Sequence, residues 1–141
     1  MVGTAGVLIR GASGSGKSAL ALQLIEDARA DSFLVADDRV QVWADDGSLF
    51  AAAPEGLGGL IEVRGIGLVR RPFRSAVGIR LVVDLLPVDE CLRMPDARER
   101  MIELGGVGVH RLAVPHGSPD GAVRIRVALG EWFGATPQPL P

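Results

Sequence analysis

The octapeptide Gly11-Ala12-Ser13-Gly14-Ser15-Gly16-Lys17-Ser18 constrains this chain more than any other feature. It fits the pattern G-x-x-x-x-G-K-[ST]. It lies between a short apolar run, Gly6-Val7-Leu8-Ile9, and a segment, 17–29, where Leu20, Leu22, Leu24, Ile25 and Ala28 recur among Ala19, Ala21, Gln23 and Glu26. The run reads as a buried strand and the segment as a helix. A glycine-rich turn between them lets successive backbone N–H groups converge at the positive end of the helix dipole. Such a turn cradles phosphate. Residues Gly11, Ala12, Ser13, Gly14, Ser15 and Gly16 would wrap a nucleotide, Lys17 would reach its β- and γ-phosphates, and the Ser18 hydroxyl would ligate Mg²⁺.

A second apolar run, 33–36, ends in Asp37-Asp38. Two adjacent carboxylates closing a buried strand are costly as packing and useful as chemistry: one can hold a metal ion, the other can take a proton from an attacking hydroxyl. Neighbouring strand residues point to opposite faces, so the pair can share a site only if the strand stops there. Glu62, just after Leu60-Ile61, is open to two readings, a further metal ligand or a charge on an edge strand. His110 and His116 lie too far apart for a ligand pair and read as ordinary residues, and Cys91 has no partner.

Further along, residues 40–44 and 49–52 flank Asp45-Asp46-Gly47, an Asp-Gly hairpin signal. Segment 60–69 reads as a strand interrupted by Gly65 and Gly67, the mark of a bulge or of close backbone approach. Residues 79–86 form a valine-rich strand ended by Pro87. Residues 88–100 read as a charged loop with one short helical turn, and 107–114 as a strand ending at Pro115. Segment 122–129 alternates like a strand, although a short helix also fits. A domain over 1–135 and a proline-rich tail over 136–141 account for the whole length.

Composition narrows the function classes. With 15 basic and 17 acidic residues the net charge of −2 offers no bulk attraction to nucleic acid or anionic membrane. One cysteine excludes an internal disulfide and suits a reducing compartment. No apolar run reaches membrane-spanning length, and the apolar start lacks a basic n-region, so the reading is cytoplasmic.

Taken together, the glycine loop, Leu34-Val35-Ala36-Asp37-Asp38-Arg39-Val40 and Leu60-Ile61-Glu62-Val63-Arg64-Gly65-Ile66-Gly67-Leu68 resemble HPr kinase/phosphorylase in its catalytic domain. The resemblance implies an α/β P-loop fold with a mixed sheet, similar to phosphoenolpyruvate carboxykinase. It implies Mg²⁺-dependent transfer of the ATP γ-phosphoryl group to a serine of HPr, the phosphocarrier of the sugar phosphotransferase system, and reverse phosphorolysis. On this resemblance Lys17 binds the transferring phosphates, Asp38 accepts the serine proton, Asp37 and Glu62 join Ser18 at the metal, and Arg93 is similar to a catalytic arginine. The family forms hexamers, which implies a homo-oligomer. A histidine that the family carries upstream of the loop lysine would fall before Met1. The family's basic loop after Val-Pro is replaced here by His116-Gly117-Ser118-Pro119-Asp120-Gly121. Two other readings share the nucleotide site: an ATP-binding regulatory module without transfer, and a small-molecule P-loop kinase.

Overall fold

The computed structural model describes residues 1–134; the proline-rich tail expected over 136–141 lies outside the described residues. Its centre is β6 (Ala76–Leu86), whose run Leu81-Val82-Val83 is fully buried. β6 takes β1 (Gly6–Arg10) and β8 (Val107–Pro115) as parallel neighbours. Its first residues pair antiparallel with β3 (Ser48–Ala52), which continues to β2 (Gln41–Asp45), while β7 (Met101–Leu104) closes the far side against β8. The sheet is therefore mixed, as expected.

Strand alternation builds two cores. On one face Leu81, Val83 and Leu85 meet Leu20 and Leu24 of α1 (Lys17–Ile25) and Ile125 of α2 (Gly121–Phe133). On the other, Val82 meets Leu49, Ala51, Ile79 and Val109. Each fully buried aliphatic side chain contributes about 1.5–3 kcal/mol, so β6 is the main anchor of both layers. A separate hairpin, β4 (Leu60–Val63) with β5 (Gly67–Arg70), lies outside the main sheet.

Several expectations change. Residues 33–36 do not form a sheet strand; Ser32 and Leu34 make only isolated bridges, to Val2 and to Phe73. The segment is extended, but its neighbours are loops: Phe33 N–H donates to Met1 O, and Leu34 N–H to the carbonyl of Pro72, which has no N–H to return. The helix expected over 17–29 stops at Ile25, because Asp27 accepts the Arg29 N–H in a local turn and Ala30 takes φ +50. Segment 60–69 is a hairpin with a turn at Gly65, not one interrupted strand. Segment 122–129 lies in α2: Gly121, Ile125 and Ala128 face inward at helical spacing while Val123 and Val127 are exposed. The Asp-Gly hairpin forms as expected, with Asp46 and Gly47 both at positive φ. The short helical turn expected in 88–100 is a 3₁₀ turn, Val88–Glu90.

Candidate functional site

The parallel strands β1 and β6 run side by side in register, with Arg10 opposite Asp84, and the chain leaves β1 directly into the glycine loop. Gly14 (φ +79) and Gly16 (φ +96) take the left-handed conformations that let the loop turn back on itself. Gly11 is required for another reason: a Cβ there would lie 2.5 Å from Ser15 Oγ. Gly16 sits at the N-cap of α1, with no side chain capping the helix. The first N–H groups of α1 are thus left to serve an anion.

The side chains around this loop are partly engaged with one another. Lys17 Nζ donates to Gly11 O at 2.7 Å and to Ala12 O at 3.0 Å, folding over the loop. Ser18 Oγ donates to Asp37 Oδ1 at 2.7 Å, and the backbone N–H of Glu62 approaches Asp37 Oδ2 at 3.5 Å. Asp37 therefore ties α1 to β4. Lys17, Ser18, Asp37 and Asp38 line one cavity of about 140 Å³ with apolar residues of α1 and β1. Ser15 Oγ is buried among the described residues with no hydrogen-bond partner.

Asp38 is exposed and has φ +55, and the Arg39 N–H donates to Asp37 O across it. It is thus the central residue of a three-residue turn. A non-glycine residue held there carries strain, on the order of 1–3 kcal/mol, which the surrounding structure must sustain. The turn solves the problem posed by two adjacent acids: it breaks the extended backbone at the pair, so both side chains line the same cavity.

The donor chemistry fits a nucleotide and its Mg²⁺. Ser18 Oγ and Asp37 Oδ1 are hard oxygen donors 2.7 Å apart, close to the ~3 Å between adjacent oxygens in an octahedral shell with ~2.1 Å bonds. The unpartnered Ser15 hydroxyl and the uncapped helix start are the matching features on the anion side.

The remaining expected residues are placed differently. Glu62 meets Asp37 through its backbone N–H, and its own side chain is exposed. Arg93 lines a separate cleft with Arg10, Asp84 and Arg111, and does not line the cavity that holds Lys17. His116 Nε2 donates to Leu85 O at 3.1 Å, while His110 packs against Trp132 and Phe133. A further cluster, Arg10, Asp84 and Arg111, is not marked by any motif in the sequence. Asp84 accepts from Arg10 Nε (2.8 Å) and Nη2 (2.9 Å) and from Arg111 Nε (2.6 Å). Burial alone would raise the Asp84 carboxyl, but these guanidinium bonds outweigh it and hold it below the ordinary carboxylate range. The available signal was a lone acid inside Leu81-Val82-Val83-Asp84-Leu85-Leu86.

Fold and site together define a mixed-sheet α/β protein with a glycine-loop anion cradle at the carboxyl end of its first strand. The chain belongs to the HPr Serine kinase C-terminal domain family, whose model matches residues 1–125. It is 38% identical over 123 residues to the HPr kinase/phosphorylase of Streptococcus thermophilus, covering 78% of this chain and 38% of that protein. It is 51% identical over 65 residues to that of Limosilactobacillus reuteri, covering 45% of this chain and 19% of the relative. The chain thus spans well under half the length of these curated relatives. A solved structure, the Hpr(Ser) kinase/phosphatase from Coxiella burnetii, superposes with a TM-score of 0.76 at 24% identity, over 93% of this chain and 84% of that one, and shows the same fold. Among the described residues no helix is long and apolar enough to cross a membrane.

Proposed function

We propose that this chain transfers the γ-phosphoryl group of ATP to a serine of an HPr-type phosphocarrier in the cytoplasm. The observation that carries the reading is the joining of the glycine loop to the acidic pair through the Ser18–Asp37 bond, within a chain of this family. Lys17, now bonded to Gly11 O and Ala12 O, would turn from these carbonyls to the transferring phosphates. Ser18 and Asp37 would hold Mg²⁺, with Glu62 beside them; the ion, when bound, offsets charge on the phosphate oxygens. A serine hydroxyl is a weak nucleophile at neutral pH. Asp38, exposed at the tip of its turn, would accept the hydroxyl proton as the oxygen–phosphorus bond forms, and would return it in phosphorolysis. Arg93 stands on the exposed 88–100 segment and would have to swing toward the loop to meet the transferred group.

The test is incubation with γ-labelled ATP, Mg²⁺ and the HPr-type carrier from the same source, beside Asp38→Asn, followed by a chase with inorganic phosphate. Label on a carrier serine that the variant fails to place supports the kinase, and pyrophosphate in the chase supports phosphorolysis. Binding of ATP without any transfer to the carrier overturns the reading in favour of a regulatory module.

A further inference from the structure

A cleft of about 900 Å³, lined by none of residues 11–18, lies between the 88–100 segment and α2. At its base Arg10 and Arg111 share one carboxylate, that of Asp84, which is only 7% exposed. An ion pair serving stability alone needs one cation for one anion; here a buried acid carries two guanidiniums and the base keeps a surplus positive charge. Arginine does not lose its proton in the physiological range and Asp84 stays ionised, so the surplus is permanent. On the rim Arg124 is paired with Asp120, and Arg93 and Arg100 stand among Glu90, Glu99 and Glu131, none of which bonds to Arg10 or Arg111, so the surplus stays local to the base.

The donors left over point to a ligand class. Arg111 gives Asp84 its Nε alone, so its two terminal nitrogens have no partner among the described residues; Arg10 spends Nε and Nη2 and keeps Nη1. Asp84 thereby holds two planar forks fixed in place, the arrangement that receives a carboxylate or phosphate through paired bonds. Above them the lining turns apolar, with exposed Leu92 and Met94 from one wall and Val123 and Val127 from the other. A cleft of this volume, with apolar patches on both walls, a charged rim and convergent guanidiniums at its base, has room and contacts for a small molecule.

We infer that this cleft binds a small organic oxyanion, a carboxylate or phosphate carried on an apolar body, with Arg111 and Arg10 receiving the charge and Asp84 positioning them. The cleft borders the glycine loop at Arg10 but shares none of residues 11–18 with it, and its two receiving arginines, Arg10 and Arg111, have no part in the kinase reading.

Phenyl phosphate and benzoate are suitable probes, one for each oxyanion, titrated into the ¹⁵N-labelled protein while the arginine Nε–Hε signals are followed. Saturable shifts of the Arg10 and Arg111 signals are expected with at least one probe. Loss of the paired bonds in Arg111→Met should weaken that binding about tenfold or more. Lys17→Ala, which removes the cation of the glycine loop, should leave it within about twofold. Should Arg111→Met fail to fold, Val127→Asp provides an independent variant: it changes one exposed residue of α2, puts a negative charge on the cleft wall, and should also weaken binding. Absence of saturable shifts with both probes overturns the inference. So does binding lost equally in Lys17→Ala and Arg111→Met, which places the anion in the glycine loop, or binding unmoved by Val127→Asp.

Discussion

Ser18 donates its hydroxyl hydrogen to Asp37 at 2.7 Å, and through that bond the first turn of the helix after the glycine loop is tied to the acid pair. The two residues lie 19 positions apart in sequence. Ser18→Ala removes the hydroxyl and leaves Asp37 without its side-chain partner. It also removes one of the two oxygens that would hold Mg²⁺, so Mg²⁺-dependent ATP affinity should fall by about 10- to 100-fold. Calorimetric titration with ATP, with and without Mg²⁺, checks this; equal losses in both titrations would remove Ser18 from the metal.

Asp38 separates chemistry from fold. Its left-handed backbone, φ +55, is one that asparagine tolerates and alanine resists. Asp38→Asn should therefore leave the melting temperature and the KM for ATP close to the parent values while kcat falls by about 10²- to 10⁴-fold, the usual worth of a positioned base. A fall in kcat/KM driven by KM alone would show that Asp38 binds substrate and does not take the proton.

The order in which these features could be read from sequence follows their physics. The glycine loop, β1 and the Asp46-Gly47 hairpin are local: turn chemistry and a few neighbouring residues specify them. The turn at Asp38 was not legible, because aspartate can take either hand of the backbone and the bonds that fix its neighbour Asp37, from Ser18 and from the Glu62 N–H, come from residues distant in sequence. β7 escaped notice for a similar reason. Ile102 and Leu104 alternate over only 4 residues, and the strand is held by β8 and by Gly105 and Gly106, both at positive φ. In α2 the alternation Val123, Ile125, Val127, Leu129 suited a strand as well as a helix. Only packing against Leu20 and Val114 decides between them.

Asp84 makes stability depend on pH. Its pKa is lowered in the folded protein from the ordinary 3.8, so the folded state binds its proton less readily than the unfolded chain. The carboxylate's contribution is fully present above about pH 4 and is lost as pH falls through the lower folded value. Asp84→Asn should cost about 2–3 kcal/mol at pH 7, less than the ~3–5 kcal/mol of a fully buried pair because both arginines are partly exposed. Urea unfolding at pH 7 and pH 3 measures both. The gap between parent and variant should narrow at the lower pH, and a constant gap would mean that the loss comes from packing.

Two glycines should respond in opposite directions to the same change. A Cβ at Gly6 would stand 2.2 Å from the backbone oxygen of Gly78, where β1 meets β6, so Gly6→Ala must push apart the central strands and lower the melting temperature. Gly130 lies within α2, at an ordinary helical position where, among the described residues, no atom lies within 4 Å of its added Cβ. Gly130→Ala should stabilise by about 0.5–1 kcal/mol through helix propensity and a less free unfolded chain. Calorimetric scans of the two variants settle both signs.

Arg93 poses the sharpest question about motion. Its side chain lines the cleft with Arg10 and Arg111, away from the cavity shared by Lys17 and the acid pair, and it makes no ion pair among the described residues. If it stabilises the transferred phosphoryl group, it does so only after the 88–100 segment has moved. Arg93→Ala should then leave ATP affinity in the resting protein unchanged and lower kcat by about 10²-fold or more, the signature of a contact made only in the transition state. Slowing that segment without touching the guanidinium should act in the same direction. The 3₁₀ turn Val88–Glu90 offers the means, since its Glu90 N–H donates to Pro87 O at 2.9 Å and a change there alters the segment's hinge. Equal weakening of ATP binding and turnover by Arg93→Ala would show instead that the arginine already reaches the nucleotide in the resting state.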